Sequence, residues 1–147
     1  QLIDYTSGRK HTYCDSEHVP LVHVDFSWPY EGPLRNTLLS AAAAAGVEVV
    51  DGGCIGVFQG PRLESAAEVR KARQDGCDMA GMTSLPEAGL ARELGLDYAG
   101  IAVVSNWGAG VTSERICEDN IAETLEEPMA RVRKIISALI NRIAEEN

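Results

Sequence analysis

The chain has 147 residues, 45% of them hydrophobic, enough for one globular domain with a core and too few for two. Its 22 acidic against 13 basic side chains leave a formal charge of −9, which argues against a sequence-independent grip on nucleic acid, because that depends on clustered Lys and Arg. Cys14, Cys54, Cys77 and Cys117 lack CxxC pairing, no stretch resembles a secretory signal, and no apolar run approaches the roughly 20 residues of a membrane helix, so a cytoplasmic protein with reduced thiols and no membrane contact is expected.

Gln1 to Tyr5 reads as the end of an apolar strand entering a loop, with no initiator Met. Residues 1–147 are therefore expected to form a single α/β unit that is the C-terminal part of a larger domain. Val19 to Phe26 alternates apolar and polar residues between Pro20 and Pro29 and predicts a short strand near a sheet edge. From Leu34, the positions Leu38, Ala41, Ala42 and Ala45 recur at helical spacing until Gly46 stops them. Val47 to Phe58 is β-rich but interrupted by Gly52-Gly53, which implies a bulge or a close backbone approach.

Ser65 with Glu68 three residues later is a capping-box pattern, opening a helix that runs to about Asp75 and stops at Gly76. Met79 to Met82 predicts a buried strand, and Pro86 suits the first turn of a helix ended by Gly95. Tyr98 to Ser105, with Ile101 to Val104 contiguous, predicts a strand covered on both faces. The last helix carries Ile121, Leu125, Met129, Val132, Ile136, Leu139 and Ile143 on one stripe, with a kink expected at Pro128. Asp119, Glu123, Glu126 and Glu127 read as its solvated face.

Three loops follow strand ends: Gln59 to Ser65, Thr83 to Pro86, and Ser105 to Gly110. Ligands of open α/β sheets gather at the carboxyl ends of strands, so these loops are the expected site. Their residues carry more than position. Gly60-Pro61-Arg62-Leu63-Glu64-Ser65, then Ala80-Gly81-Met82-Thr83-Ser84-Leu85-Pro86-Glu87-Ala88, then Leu90-Ala91-Arg92-Glu93-Leu94-Gly95-Leu96, then Ser105-Asn106-Trp107 resemble, in order, the methylthioadenosine and purine-nucleoside phosphorylase family. So does His23-Val24-Asp25-Phe26-Ser27-Trp28-Pro29-Tyr30.

The resemblance implies a three-layer α/β/α fold of the phosphorylase/hydrolase-like kind with a mixed central sheet. It also implies phosphorolysis, in which inorganic phosphate attacks the anomeric carbon of a ribonucleoside and purine departs, with no cofactor beyond that co-substrate. Positive charge gathers on the sugar and negative charge on the base, so positioning and a donor at the base carry catalysis. By resemblance, Met82 lies beneath the ribose, Thr83 binds phosphate, and Asn106 contacts the purine and stabilises the leaving base. Glu64 matches the carboxylate that faces N1 of a 6-oxopurine, where the base offers a donor; adenine offers a lone pair there. Adenine-specific relatives resemble the pattern with Ser in place of Glu64 and Asp in place of Asn106. Leu63 stands where the family stacks a Phe on the purine, leaving apolar contact alone.

His23 matches a position that, in the family's homotrimers, reaches the 5′ pocket of a neighbouring subunit. The blocks around His23 and Trp107 point to the methylthio-accepting branch, so S-methyl-5′-thioinosine is the expected substrate. The alternatives are S-methyl-5′-thioadenosine, inosine or guanosine, or an inactive assembly module. His11, Cys14, His18 and His23 lack the paired spacing of a zinc site, and no metal is expected.

Overall fold

A computed structural model describes residues 1–145, without the side chains at 118–120 and 122–123. The chain order is β1 (Leu2–Tyr5), α1 (Pro33–Ala44), β2 (Ile55–Phe58), α2 (Ala66–Gln74), β3 (Met79–Gly81), α3 (Glu87–Glu93) and α4 (Glu118–Glu145). The strands form one sheet in the order β1-β2-β3, with both ladders parallel. Helix α1 carries the chain from β1 to β2, and α2 carries it from β2 to β3, which is the connection that parallel neighbours require.

Side chains of a strand alternate between faces, so the register decides what each layer packs. Leu2, Ile55 and Val57 share one face and meet Leu85, Ala88 of α3, Phe26 and Tyr98 in a core cluster. Tyr5 and Phe58 are register partners on the other face and stack at 4.7 Å. There the Tyr5 hydroxyl donates to Asp75, at the end of α2, at 2.6 Å. A second cluster joins Ala41 and Ala42 of α1 to Ile135 of α4. The alanines allow close helix approach, and Ala41 is fully buried.

The predicted helices form, and their glycine stops lie in the left-handed region, at φ 64 for Gly46, 97 for Gly76 and 66 for Gly95. A Cβ on Gly53 would lie 2.8 Å from Met79 Cε, the close approach expected of Gly52-Gly53. Two predicted strands do not form. Residues 19–26 and 98–105 are unpaired. Their alternation and apolar content favour extended backbone, but a strand exists only where a neighbouring strand takes its N–H and C=O groups, and among the described residues no strand pairs with them. The upstream part of the β-rich stretch, residues 47–53, lies outside β2, although Gly53 O accepts from the Gln1 amino group at 2.8 Å. Both described ladders are parallel, within the α/β fold expected. On α4, Ile135 fills the core while Ile136 and Met129 are 43% and 39% exposed, which shifts the apolar stripe. Helix α4 runs on through Pro128. Glu126 and Glu127 are exposed, while the side chains of Asp119 and Glu123 lie outside the described residues.

The capping box of α2 is complete. Glu68 N–H donates to Ser65 Oγ at 3.3 Å, and Ser65 N–H donates to Glu68 Oε2 at 2.7 Å. Replacing Ser65 by Ala should lower stability by about 1 kcal/mol, read as a reduced urea midpoint at unchanged slope. The Arg62 guanidinium, aided by the Ser65 amide, holds the Glu68 carboxyl down to about 2. A lowered folded-state value adds stability above the ordinary 4.5 and loses it as the carboxyl protonates toward 2. Amide-exchange protection in the first turn of α2 should therefore fall over that acidic window, and should be flat there in Glu68→Gln.

Candidate active site

The loops after β2 and β3 leave the same end of a parallel sheet, so their side chains converge. Gly60 takes φ 62, and the Met82 side chain lies over it: a Cβ there would come within 2.4 Å of Met82 Sδ. The absent side chain thus lets the 59–64 loop and Met82 touch. Thr83 follows, exposed, at the edge of a cleft of about 770 Å³ that Ser84, Tyr30, residues 47–53 and residues 100–104 also line. Ser84 holds φ 80, an uncommon conformation for a residue with a Cβ.

Glu64 ends the loop that leads into α2. One of its carboxylate oxygens is buried and accepts no hydrogen bond. The nearby cation is engaged elsewhere: Arg62 donates through Nη1 and Nη2 to the two oxygens of Glu68, at 2.8 Å each. That bidentate pair leaves Glu64 as a buried acceptor without a donor, an arrangement that costs free energy unless a ligand supplies one.

Asn106 sits in the third loop and is exposed. Its Oδ1 accepts from Ser105 Oγ at 2.8 Å, and its Nδ2 donates to Trp107 O at 2.9 Å. An amide nitrogen carries two N–H groups, so this geometry orients the side chain and leaves one donor free. The loop rests on α2 through two glycines. A Cβ on Gly108 would lie 3.0 Å from Val69 Cγ1, and one on Gly110 would lie 2.5 Å from Ala66 Cβ. Asn106 is thereby carried to the helix that begins two residues after Glu64.

Met82 therefore meets the Glu64 loop at Gly60, and the Asn106 loop meets the start of the helix that follows Glu64. Thr83 adjoins Met82 and opens onto the cleft. Leu63 is 47% exposed beside Glu64. His23 is exposed on the unpaired 19–26 stretch and joins none of these contacts. His11 lies 3.3 Å from Thr6 Oγ1, while Cys14 Sγ donates to Pro20 O at 3.1 Å. Among the described residues, no group of three or more His, Cys, Asp or Glu side chains is placed to hold a metal ion. Nor is any described helix long and apolar enough to cross a membrane.

Sequence reading passes over two residues here. The Tyr30 hydroxyl is buried without a hydrogen-bond partner in the cleft that Thr83 lines, and burial pushes its pKa up. Arg9 donates to carbonyls at the ends of both site loops. In the sequence, Gly8-Arg9-Lys10 is only a charged turn, and its partners lie 49 to 76 residues onward.

Known proteins resemble this chain over nearly its whole length. The family model described as the phosphorylase superfamily matches residues 1–141. A probable S-methyl-5′-thioinosine phosphorylase of Xylella fastidiosa is 48% identical over 99% of this chain and 58% of its own length. A 6-oxopurine nucleoside phosphorylase of Pyrococcus furiosus is 38% identical over 99% of this chain and 57% of its own. Among solved structures, the methylthioadenosine phosphorylase of Schistosoma mansoni in complex with adenine superposes with a TM-score of 0.92 at 28% identity, covering 100% of this chain and 58% of that one. The chain thus spans somewhat over half the length of the relatives it matches. With the family model spanning nearly the whole chain and the whole chain superposing on a solved phosphorylase, the chain belongs to the phosphorylase superfamily.

Proposed function

We propose that this chain is the purine-facing part of a nucleoside phosphorylase that acts on a 6-oxopurine ribonucleoside, with S-methyl-5′-thioinosine as its substrate. One observation carries the choice of base: the buried oxygen of Glu64 that has no donor. A 6-oxopurine supplies N1–H to it, while adenine would set a lone pair against a carboxylate. The free N–H of Asn106 then donates to N7 or O6. In the reaction a phosphate oxygen bonds to the anomeric carbon as the carbon–nitrogen bond breaks, and the bonding pair leaves with the base. A fixed donor at the purine favours that charge more strongly in the transition state than in the nucleoside. The products are hypoxanthine and 5-methylthioribose 1-phosphate.

In this reading Met82 packs under the ribose, Leu63 gives the purine apolar contact, Thr83 donates to phosphate, and His23 serves the 5′ pocket of a neighbouring subunit in a cytoplasmic homotrimer. Inorganic phosphate is the co-substrate, and no other cofactor is needed. The names of the relatives in Xylella fastidiosa and Pyrococcus furiosus support a 6-oxopurine base. Adenine-type cleavage is the second reading, favoured by the Schistosoma mansoni neighbour.

Thr83 alone makes a sparse anion site, and a preceding segment completes it. Two further features support such a segment: the unpaired stretches lining the cleft, and apolar residues left in solvent, with Val50 92% and Val104 71% exposed. Residues 1–147 alone should therefore show no phosphate-dependent base release; normal rates would refute the missing segment. For the complete enzyme, methylthioinosine, methylthioadenosine and inosine are supplied in parallel with phosphate. Hypoxanthine release from methylthioinosine should be fastest, and adenine release at an equal or higher rate would overturn the base assignment.

A further inference from the structure

We propose that Arg9 is a positioning residue that locks the purine loop and the phosphate loop together, a role that rests on the reading of those loops given above. All five N–H donors of its guanidinium are committed. Nη2 donates to Phe58 O and Gln59 O, at 3.0 Å each, where the chain leaves β2 for Glu64. Nη1 donates to Met82 O at 3.0 Å and to Leu85 O, on either side of Thr83 and Ser84. Nε donates to Gln59 Oε1 at 3.3 Å, an oxygen that also accepts from Ser7 N–H at 3.1 Å.

This differs from an ordinary surface arginine in two respects. First, four of its five acceptors are main-chain carbonyls from two segments that are not sequence neighbours, so one rigid plane sets their separation. The carbonyl of Met82 belongs to the peptide group that leads into Thr83, so the clamp fixes the peptide plane next to the proposed phosphate ligand. Between the two carbonyls held by Nη1 lies Ser84 at φ 80, a conformation that persists only when its surroundings over-determine it. Second, among the described residues no carboxylate is paired with Arg9. A half-buried cation satisfied only by neutral acceptors keeps its charge, which favours an anion at the same end of the sheet.

Lysine has three donors on a flexible stem and cannot span four carbonyls, while methionine fills similar space with none. In the complete enzyme, Arg9→Met should lower kcat by about 100-fold, the scale of a misplacement near 1 Å. KM for phosphate should rise more than KM for nucleoside, Arg9→Lys should recover only part of kcat, and added guanidinium should restore activity to an Arg9→Gly variant. Amide exchange at residues 58–64 and 82–86 should accelerate in Arg9→Met. A folded Arg9→Met enzyme with unchanged kcat overturns the proposal, as does loss that neither lysine nor guanidinium relieves. If the wild-type enzyme cleaves no purine nucleoside, the substrate reading fails while exchange still judges the clamp: unchanged exchange in both loops overturns it.

Discussion

Replacing Glu64 by Ser together with Asn106 by Asp should turn the complete enzyme from 6-oxopurine toward 6-aminopurine nucleosides. The wild-type pair presents an acceptor at N1 and a donor at N7 or O6. The variant removes the charge that repels adenine N1 and puts an acceptor where the amino group and a protonated N7 can donate. A hydrogen bond to a charged group contributes about 1.5–3 kcal/mol, so one lost on one substrate is worth about 10- to 150-fold. With both positions changed, the ratio of kcat/KM for methylthioinosine over methylthioadenosine should fall by about 1,000-fold, since buried polar groups reject a mismatched partner strongly. The measurement is parallel kinetics on the two nucleosides. An unchanged ratio in a folded, active variant would remove Glu64 and Asn106 from base recognition.

A steric change should have a comparable effect without touching either polar group. Gly110→Ala would set a Cβ 2.5 Å from Ala66 Cβ, far inside ordinary carbon contact, and at a φ of 75 that disfavours side chains. Either the Asn106 loop or the start of α2 must move, so the distance between Asn106 and Glu64 changes. The expected loss is about 100-fold in kcat/KM, the scale for a displacement near 1 Å. Adding Ala66→Gly removes the clashing carbon and leaves Ala66 Cα at 3.5 Å, an ordinary contact. The double variant should recover most of the activity, short of wild type because the strained φ remains. If it is no better than Gly110→Ala alone, the seating of the loop on α2 does not set the site.

Much of this site is legible in the residues because its signals are local. Ser65 and Glu68 satisfy each other's amides within one turn, so their spacing announces the start of α2. Glycines that stop helices do so through their own φ. Glu64, Met82 and Thr83 follow strand ends, where topology alone places ligands, and Asn106 follows an extended stretch that joins no ladder. Arg9 has no such signal, since the carbonyls it serves come from loops far along the chain. The unpaired stretches 19–26 and 98–105 show the opposite error, because their β-favouring residues describe half of an interaction whose other half is a neighbouring strand.

The amino-acid sequence by itself determined the helices, the glycine stops, the α/β class and the residue types at the strand ends, each resting on neighbours within a few positions. Only the tertiary structure decided which extended stretches pair, which face of α4 enters the core, and that Arg62 turns to Glu68 and leaves Glu64 without a donor. Those outcomes depend on groups that compete for one partner across the fold, and that competition is settled only when the elements pack.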